Sequence, residues 1–300
     1  LKETIKMNYR LEKSAGLKQS QLSQIAWLED TCNRFEGLAM KLNWSILHFR
    51  PPQQINDFFC YDGEVVVGYL AIYAFGGPQA EISAMTHPNY RQQGIFKQLL
   101  AAAGSELEQR NIPDFLFICE QKSASAKYTI QAIEATYEVS EYKMALTQTI
   151  VGKSKSHPRL RLRRAQPTDI KAIAVMNHLC FGVPDHSTDV DSADTFFNPA
   201  DEVWLAEVEQ QIIGKIHIVH DESEIIIAGF CIYPQQRNKG FGTAILTQIV
   251  EQLTNEGRKN IVLEVSATTG SALSLYRRCG FEVVTAYDYY RLPVSRNEKL

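Results

Sequence analysis

Displaced by 146 positions, the chain superposes on itself without a gap: Gly68 falls on Gly214, Pro88 on Pro234, Arg91 on Arg237 and Gly94 on Gly240. The run Phe115-Leu116-Phe117 falls likewise on Ile261-Val262-Leu263. Solenoid units repeat every 20 to 50 residues or so, whereas a period of this length suits one globular domain. The chain therefore reads as two copies of one domain, residues 1–150 and 159–300. Between them, residues 151–158 are polar and basic, broken by Gly152 and Pro158 and without an apolar period, which is linker composition.

With 300 residues, 45% of them hydrophobic and 22% charged, there is material for two buried cores, and the composition carries no mark of disorder. A net charge of −3 argues against a nucleic-acid partner. No apolar run reaches the roughly 18 to 20 residues of a membrane span, and Leu1 to Lys18 carry no signal-peptide core, so no membrane partner is expected. Cys32, Cys60, Cys119, Cys180, Cys231 and Cys279 are scattered, without metal-ligand spacing. They read as reduced thiols of a cytoplasmic protein, and no metal is expected. The acidic stretch Asp185 to Asp194 lacks a calcium-loop pattern and reads as a solvated loop near an acceptor mouth.

In the second copy Leu160 and Leu162 alternate with arginines as an edge strand, and Pro167-Thr168-Asp169 opens a helix. Strands follow at Val203 to Glu207, Ile212 to Val219 and Glu224 to Ile232, the second entered through a turn at Glu209-Gln210-Gln211. A helix from about Gly240 carries Ile245, Leu246, Ile249 and Leu253 on one face. The strand Ile261 to Val265, a helix through Tyr276 and Cys279, and a last strand from Phe281 to Leu292 complete the copy. Hairpins followed by strand-helix-strand-helix predict an α/β (α+β sandwich) class, a mixed sheet with helices on its faces. In the last strand, Tyr287, Tyr289 and Tyr290 suit either packing or the lining of an acceptor pocket.

Chemistry concentrates where the strand ending at Ile232 meets its helix, in Pro234-Gln235-Gln236-Arg237-Asn238-Lys239-Gly240-Phe241-Gly242-Thr243. A helix N-terminus offers unpaired N–H groups and the positive end of the macrodipole to an anion. Gly240 and Gly242 let a diphosphate approach the backbone, and Arg237 and Lys239 add charge. Ile245 occupies the place of the third glycine of a dinucleotide fingerprint, and no Gly-Lys-Ser or Gly-Lys-Thr is present, so both rival phosphate motifs fail.

Arg237-Asn238-Lys239-Gly240-Phe241-Gly242 after Pro234 resembles the pyrophosphate motif of the GNAT superfamily of acyl-CoA N-acyltransferases, Arg/Gln-x-x-Gly-x-Gly/Ala. The segment Ser271 to Phe281 is similar to the family's Ala-x-x-Leu-Tyr-x-x-x-Gly-Phe block, with Ser271 where an Asn is common. The resemblance covers residues 159 to 292 and implies a centrally splayed sheet in each of two tandem domains. It implies acetyl-CoA as acyl donor, its pantetheine pairing with Phe230, Cys231 and Ile232 as an added strand and its pyrophosphate on Arg237 to Thr243. Tyr276 matches the family's general acid, which protonates the leaving thiolate. For the base, Glu224 is the first choice; Glu222, His217 and His220 stand nearby, and an amine that loses its proton to water needs none.

In the first copy Arg91-Gln92-Gln93-Gly94-Ile95-Phe96 keeps the Arg and first Gly, but Phe96 stands where the second has Gly242, and Ile130 replaces Tyr276. Glu134-Ala135 replace Gly280-Phe281. Arg91, Gln93, Gly94, Ile95 and Phe96 remain a candidate second cofactor site, and Glu81 a candidate base without its acid. Ser140-Glu141-Tyr142-Lys143-Met144 and the general layout resemble tandem bacterial GNAT proteins. The resemblance implies an N-acetyltransferase acting on a primary amine of a small molecule or peptide, with residues 159–300 catalytic. The alternatives are a CoA-binding regulatory or scaffolding protein without turnover, and the use of another acyl-CoA.

Overall fold

The repeat seen in the sequence returns as a repeat of topology. The computed structural model describes residues 9–148, 157–182, 201–221, 224–266 and 271–299. The linker residues 151–156 and the acidic stretch 185–194 lie outside the described residues. In chain order the first copy contains β1 (Arg10–Ala15), α1 (Gln19–Glu36), α2 (Trp44–His48), β2 (Ile55–Asp62), β3 (Val65–Ala74) and β4 (Gln79–Thr86). A single 3-10 turn (Pro88–Tyr90) precedes α3 (Ile95–Gln109), β5 (Asp114–Glu120), α4 (Ala124–Ala132) and β6 (Thr136–Leu146). The second contains β7 (Leu160–Arg164), α5 (Ile170–Phe181), β8 (Glu202–Val208), β9 (Gln211–His220) and β10 (Ile225–Ile232). After another 3-10 turn (Pro234–Gln236) come α6 (Phe241–Asn255), β11 (Ile261–Ser266), α7 (Ser271–Arg278) and β12 (Phe281–Pro293).

Local chemistry accounts for these elements. Glu209 and Gln210 both take positive φ, 52° and 64°, the two-residue hairpin turn whose twist matches that of the strands β8 and β9. On α6 the residues Phe241, Ala244, Ile245, Leu246, Ile249, Val250 and Leu253 form one buried stripe at helical spacing. No helix of the described residues is long and apolar enough to cross a membrane.

The chain divides into two compact units, Leu1–Ser140 with Thr285–Leu300, and Glu141–Val284. In the first, β1 to β4 pair antiparallel in succession, β4 and β5 pair parallel, and β12 closes the sheet against β5 from Tyr287↔Glu120 to Pro293↔Asp114. The second repeats the pattern with β7 to β10 antiparallel, β10 and β11 parallel, and the Glu141–Ala145 part of β6 against β11. Each sheet is covered on both faces: α3 packs with Phe115, Phe117 and Leu292 on one side of the first and α1 on the other. In the second unit α6 lies over Ile216, Ile218, Ile227 and Leu263.

The ends of these units differ from the ends of the sequence copies, 1–150 and 159–300. The closing strand of the first unit comes from the end of the chain, and that of the second from the segment just before the expected linker. β6 and β12 hold equivalent places in the repeat, and a β-ladder made of backbone groups does not distinguish one copy from the other. Tyr287 and Tyr289 are accordingly buried in the first unit. The Tyr287 hydroxyl donates to Ala39 O at 2.6 Å, and Lys41 Nζ donates to the Tyr289 hydroxyl at 3.4 Å.

Leu292, fully buried, makes this assignment testable. L292A should cost about 2–5 kcal/mol, the usual range for emptying such a site. Hydrogen exchange should then accelerate in β2 to β5 of the first unit and stay unchanged in β8 to β11.

Candidate functional site

The parallel pair at the centre of the second unit is incomplete. β10 and β11 are in register only at Ile225↔Ile261, Ile226↔Val262 and Ile227↔Leu263, although β10 runs on to Ile232 and β11 to Ser266. On its other edge β10 pairs with β9, but the register slips between Ala228 and Cys231, so that Gly229 and Phe230 face the single residue Ile216. That is a β-bulge, and Gly229 adopts φ 51°, which a residue without a Cβ accepts most readily. A strand released on one edge and kinked on the other offers backbone groups to an extended ligand. Phe230, Cys231 and Ile232 lie on this released stretch, with Cys231 buried and its neighbours half-buried.

Past Ile232 the chain turns through Pro234–Gln236 to the N-terminus of α6. Asn238 (φ 62°) and Gly240 (φ 84°) are left-handed, and Arg237, Asn238, Lys239 and Gly240 are all exposed. Arg237 Nε donates to Ile232 O at 3.1 Å, and Lys239 Nζ to Gln236 Oε1 at 2.9 Å, so both cations are held beside the turn. A Cβ on Gly240 would meet nothing within 4 Å, whereas one on Gly242 would lie 3.3 Å from Leu275 Cδ2. The two glycines thus differ in role: Gly240 supplies the backbone conformation, and Gly242 lets α7 pack against the start of α6. Phe241 is buried under the His157 ring at 4.5 Å, and Thr243 O accepts from the Thr247 hydroxyl. Ser271 begins α7.

Tyr276 is buried in the core of the second unit, edge-on to Phe281 with ring centroids 6.4 Å apart. Burial, with a smaller push from Cys279, raises its phenol to about 12, so the hydroxyl keeps its proton through the neutral range. Glu224, at the foot of β10, is held by Lys143 of β6, whose Nζ donates to its two oxygens at 2.8 and 2.9 Å. Of the histidines, His220 faces Glu202 at 3.3 Å, while burial and the neighbouring Lys215 push His217 down to about 4. Glu222 lies outside the described residues.

Lys215 is the residue that reading the sequence passed over. It is 1% exposed, and its Nζ donates to Gly229 O at 3.0 Å and lies 3.1 Å from His217 Nε2. The signal was available: a lysine among Ile213, Ile216 and Ile218 in a strand is conspicuous, because buried lysines demand partners.

The first unit keeps the backbone of this site and changes its side chains. β4 and β5 pair only over Gln79–Ile82, and Gln92 (φ 59°) and Gly94 (φ 80°) reproduce the turn of Asn238 and Gly240. The β3–β4 register, however, runs unbroken from Gly68↔Thr86 to Ala74↔Ala80, with no bulge. Arg91 is paired with Glu36, whose carboxylate also accepts from the Ser123 hydroxyl at 3.1 Å and Ser125 N at 3.3 Å. Against the opposing effect of burial, hydrogen bonds from Ser125 and Arg91 hold Glu36 below the usual carboxylate range. Gln93 accepts from the Tyr9 hydroxyl, Ile95 is buried against Gly68, and Phe96 turns inward beside Phe117 at 6.3 Å. Ile130, in the place of Tyr276, is a core residue, and Glu81 stands on β4 opposite Tyr73.

The profile of the Acetyltransferase (GNAT) family matches this chain twice, over residues 21–128 and 170–281. The chain belongs to this family. It is similar to the mycothiol acetyltransferase of Streptomyces avermitilis, 24% identical over 294 residues that cover 90% of this chain and 91% of the relative. Its likeness to the mycothiol acetyltransferase of Mycolicibacterium smegmatis is 23% over 285 residues, 89% and 94% of the two chains. Among solved structures, a GCN5-related N-acetyltransferase from Sphaerobacter thermophilus superposes with TM-score 0.80 at 18% identity, covering 95% of this chain and 96% of the other. A tandem GNAT protein from the clavulanic acid biosynthesis pathway gives 0.74 at 15%, covering 96% and 99%. These likenesses show a tandem GNAT fold, and as a GNAT acetyltransferase the protein is an acyltransferase.

Gly240→Ala forces an L-residue to φ 84° at the head of α6. It should lower stability by about 1–2 kcal/mol, seen as a lower denaturant midpoint at unchanged m.

Proposed function

We propose that the protein transfers an acetyl group from acetyl-CoA to a primary amine of a small molecule, and that the second unit performs the transfer. One observation carries this reading: β10 parts from β11 at Ile227, bulges at Gly229 and ends at an exposed, cationic helix N-terminus. An extended thioester with a diphosphate at one end fits that sequence of features. The pantetheine would lie along Phe230, Cys231 and Ile232 as an added strand, and the pyrophosphate would meet the N–H groups of Gly240 to Thr243 beside Arg237 and Lys239. Two of the mycothiol acetyltransferases match this chain over nine-tenths of its length, and their name supports a small-molecule acceptor.

In the reaction the neutral amine attacks the thioester carbonyl and gives up a proton to the base or to water, the C–S bond breaks, and the thiolate takes a proton. Tyr276 is the group we assign to that proton. Its phenol stays protonated at neutral pH, and the apolar surroundings that raise it would raise a thiol brought among them as well, keeping donor and acceptor comparable. Glu224 remains the carboxylate we place as base. To act it must leave Lys143; an amine that loses its proton to water needs no base.

In the first unit Arg91 is engaged by Glu36, and Ile130 stands in place of the tyrosine. We assign it a supporting role.

Acetyl-CoA at about 100 times its dissociation constant should stabilise the protein by roughly 2.7 kcal/mol, read as a thermal shift. The exposed double variant R237E/K239E should weaken that binding at least about tenfold without unfolding the chain. Y276F should bind acetyl-CoA as the parent does while releasing CoA about 10²-fold more slowly in the presence of amine. Equal turnover by Y276F, with chemistry rate-limiting, would remove the acid assignment. Binding without CoA release from any amine would favour a regulatory protein. Glu81→Gln should leave turnover unchanged; a loss there would move catalysis to the first unit.

A further inference from the structure

A lysine amine fully inside a β-sheet domain is expensive, and the second unit keeps one at the point where β10 changes course. Lys215 stands opposite Cys231 across the β9–β10 ladder, one residue past the bulge. Its Nζ reaches back over the bulge to Gly229 O at 3.0 Å and lies 3.1 Å from His217 Nε2. Other neighbours are soft: the Phe181 ring of α5 at 5.4 Å, the thiols Cys180 of α5 and Cys231 of β10, and Leu205 opposite it on β8. Among the described residues no carboxylate pairs with it.

These partners define what the amine does. Nζ donates to Gly229 O and stands within hydrogen-bond distance of His217 Nε2, and burial lowers the Lys215 pKa from its usual value. A carbonyl in a bulge has lost its ladder partner and needs another donor. Lys215 supplies that donor. The space is matched as well, since a Cβ on Gly229 would come within 3.1 Å of Nζ.

The first unit provides an internal comparison. Tyr69 holds the place of Lys215 there, and its hydroxyl donates to Asp57 on β2 at 2.6 Å instead of reaching β4. Ser83 stands where Gly229 does, and the ladder runs through without a bulge. Bulge, glycine and buried lysine occur together in one unit and are absent together from the other.

We propose that Lys215 is a positioning residue that clamps the Gly229 bulge and so sets the backbone of Phe230 to Ile232 for pairing with the pantetheine arm of acetyl-CoA. The proposal deepens the acetyl-transfer reading and rests on it for the identity of the ligand. The clamp itself is a property of the free protein.

K215M keeps the volume and removes the donor. In the free protein, amide hydrogen exchange should accelerate at least about tenfold at residues 228–232 and stay unchanged in β7 and β8. In turnover assays the KM for acetyl-CoA should rise about tenfold, equivalent to about 1.4 kcal/mol, while the KM for the amine does not move. General loosening of the unit would shift both constants together and spread through the exchange pattern. Should K215M not fold, G229A reads the same contact from the other side and should give the same two signatures. Unchanged exchange at 228–232, or an unchanged KM for acetyl-CoA in a folded variant, overturns the clamp. If the parent protein binds no acetyl-CoA while K215M still loosens 228–232, the clamp stands and the acetyl-transfer reading falls.

Discussion

Three register pairs between β10 and β11 are the constraint on which the candidate site depends. Two parallel strands that begin together and then part leave main-chain donors and acceptors facing a gap, and such groups are costly unless water or a ligand meets them. The rest of the second unit follows from maintaining that gap. The bulge at Gly229 turns β10 away, the buried stripe of α6 holds the strand from the opposite face, and Gly242 lets Leu275 of α7 come close to the start of α6. The released stretch of β10 therefore leads directly to a helix N-terminus.

The first unit carries different side chains on a related fold. Its parallel pair also stops early, and its turn into α3 has the same left-handed residues at Gln92 and Gly94. What differs is the bulge, absent from β4, and the side chains laid on that backbone. Glu36 occupies Arg91, Phe96 fills the interior beside Phe117, and Tyr69 spends its hydroxyl on Asp57, itself paired with Arg50 in a buried cluster. A buried ion pair of this kind is weak evidence for stability and better suited to fixing which arrangement the core adopts. Divergence of side chains between the two copies thus leaves the sheet order intact.

Much of this was legible in the chain. The period of 146, the helix from Gly240 and the turn at Glu209-Gln210 are local or periodic features, and propensity and φ preference decide them within a few residues. The order of motifs around Arg237 and Tyr276 pointed to the family that the two profile matches then gave. Less was legible where a residue's role depends on a distant partner. Glu224 looks like a free carboxylate in sequence and is an ion-paired one in the fold, because Lys143, 81 residues away, arrives on the strand beside β11.

The sequence by itself determined that there are two copies of an α/β domain, where the strands and helices of the second lie, and which copy carries the glycines and the tyrosine that resemble the family's motifs. These are properties of short windows, set by side-chain period, capping and turn chemistry. Only the tertiary structure decided that β12 closes the first sheet and β6 the second, that Tyr287 and Tyr289 serve the first unit, and that Lys215 meets Gly229 across a bulge. Those outcomes rest on pairing between backbone groups that carry no residue identity and on burial contributed by remote elements. The strands' own patterns were compatible with more than one partner, and the partner was fixed only when the sheets assembled.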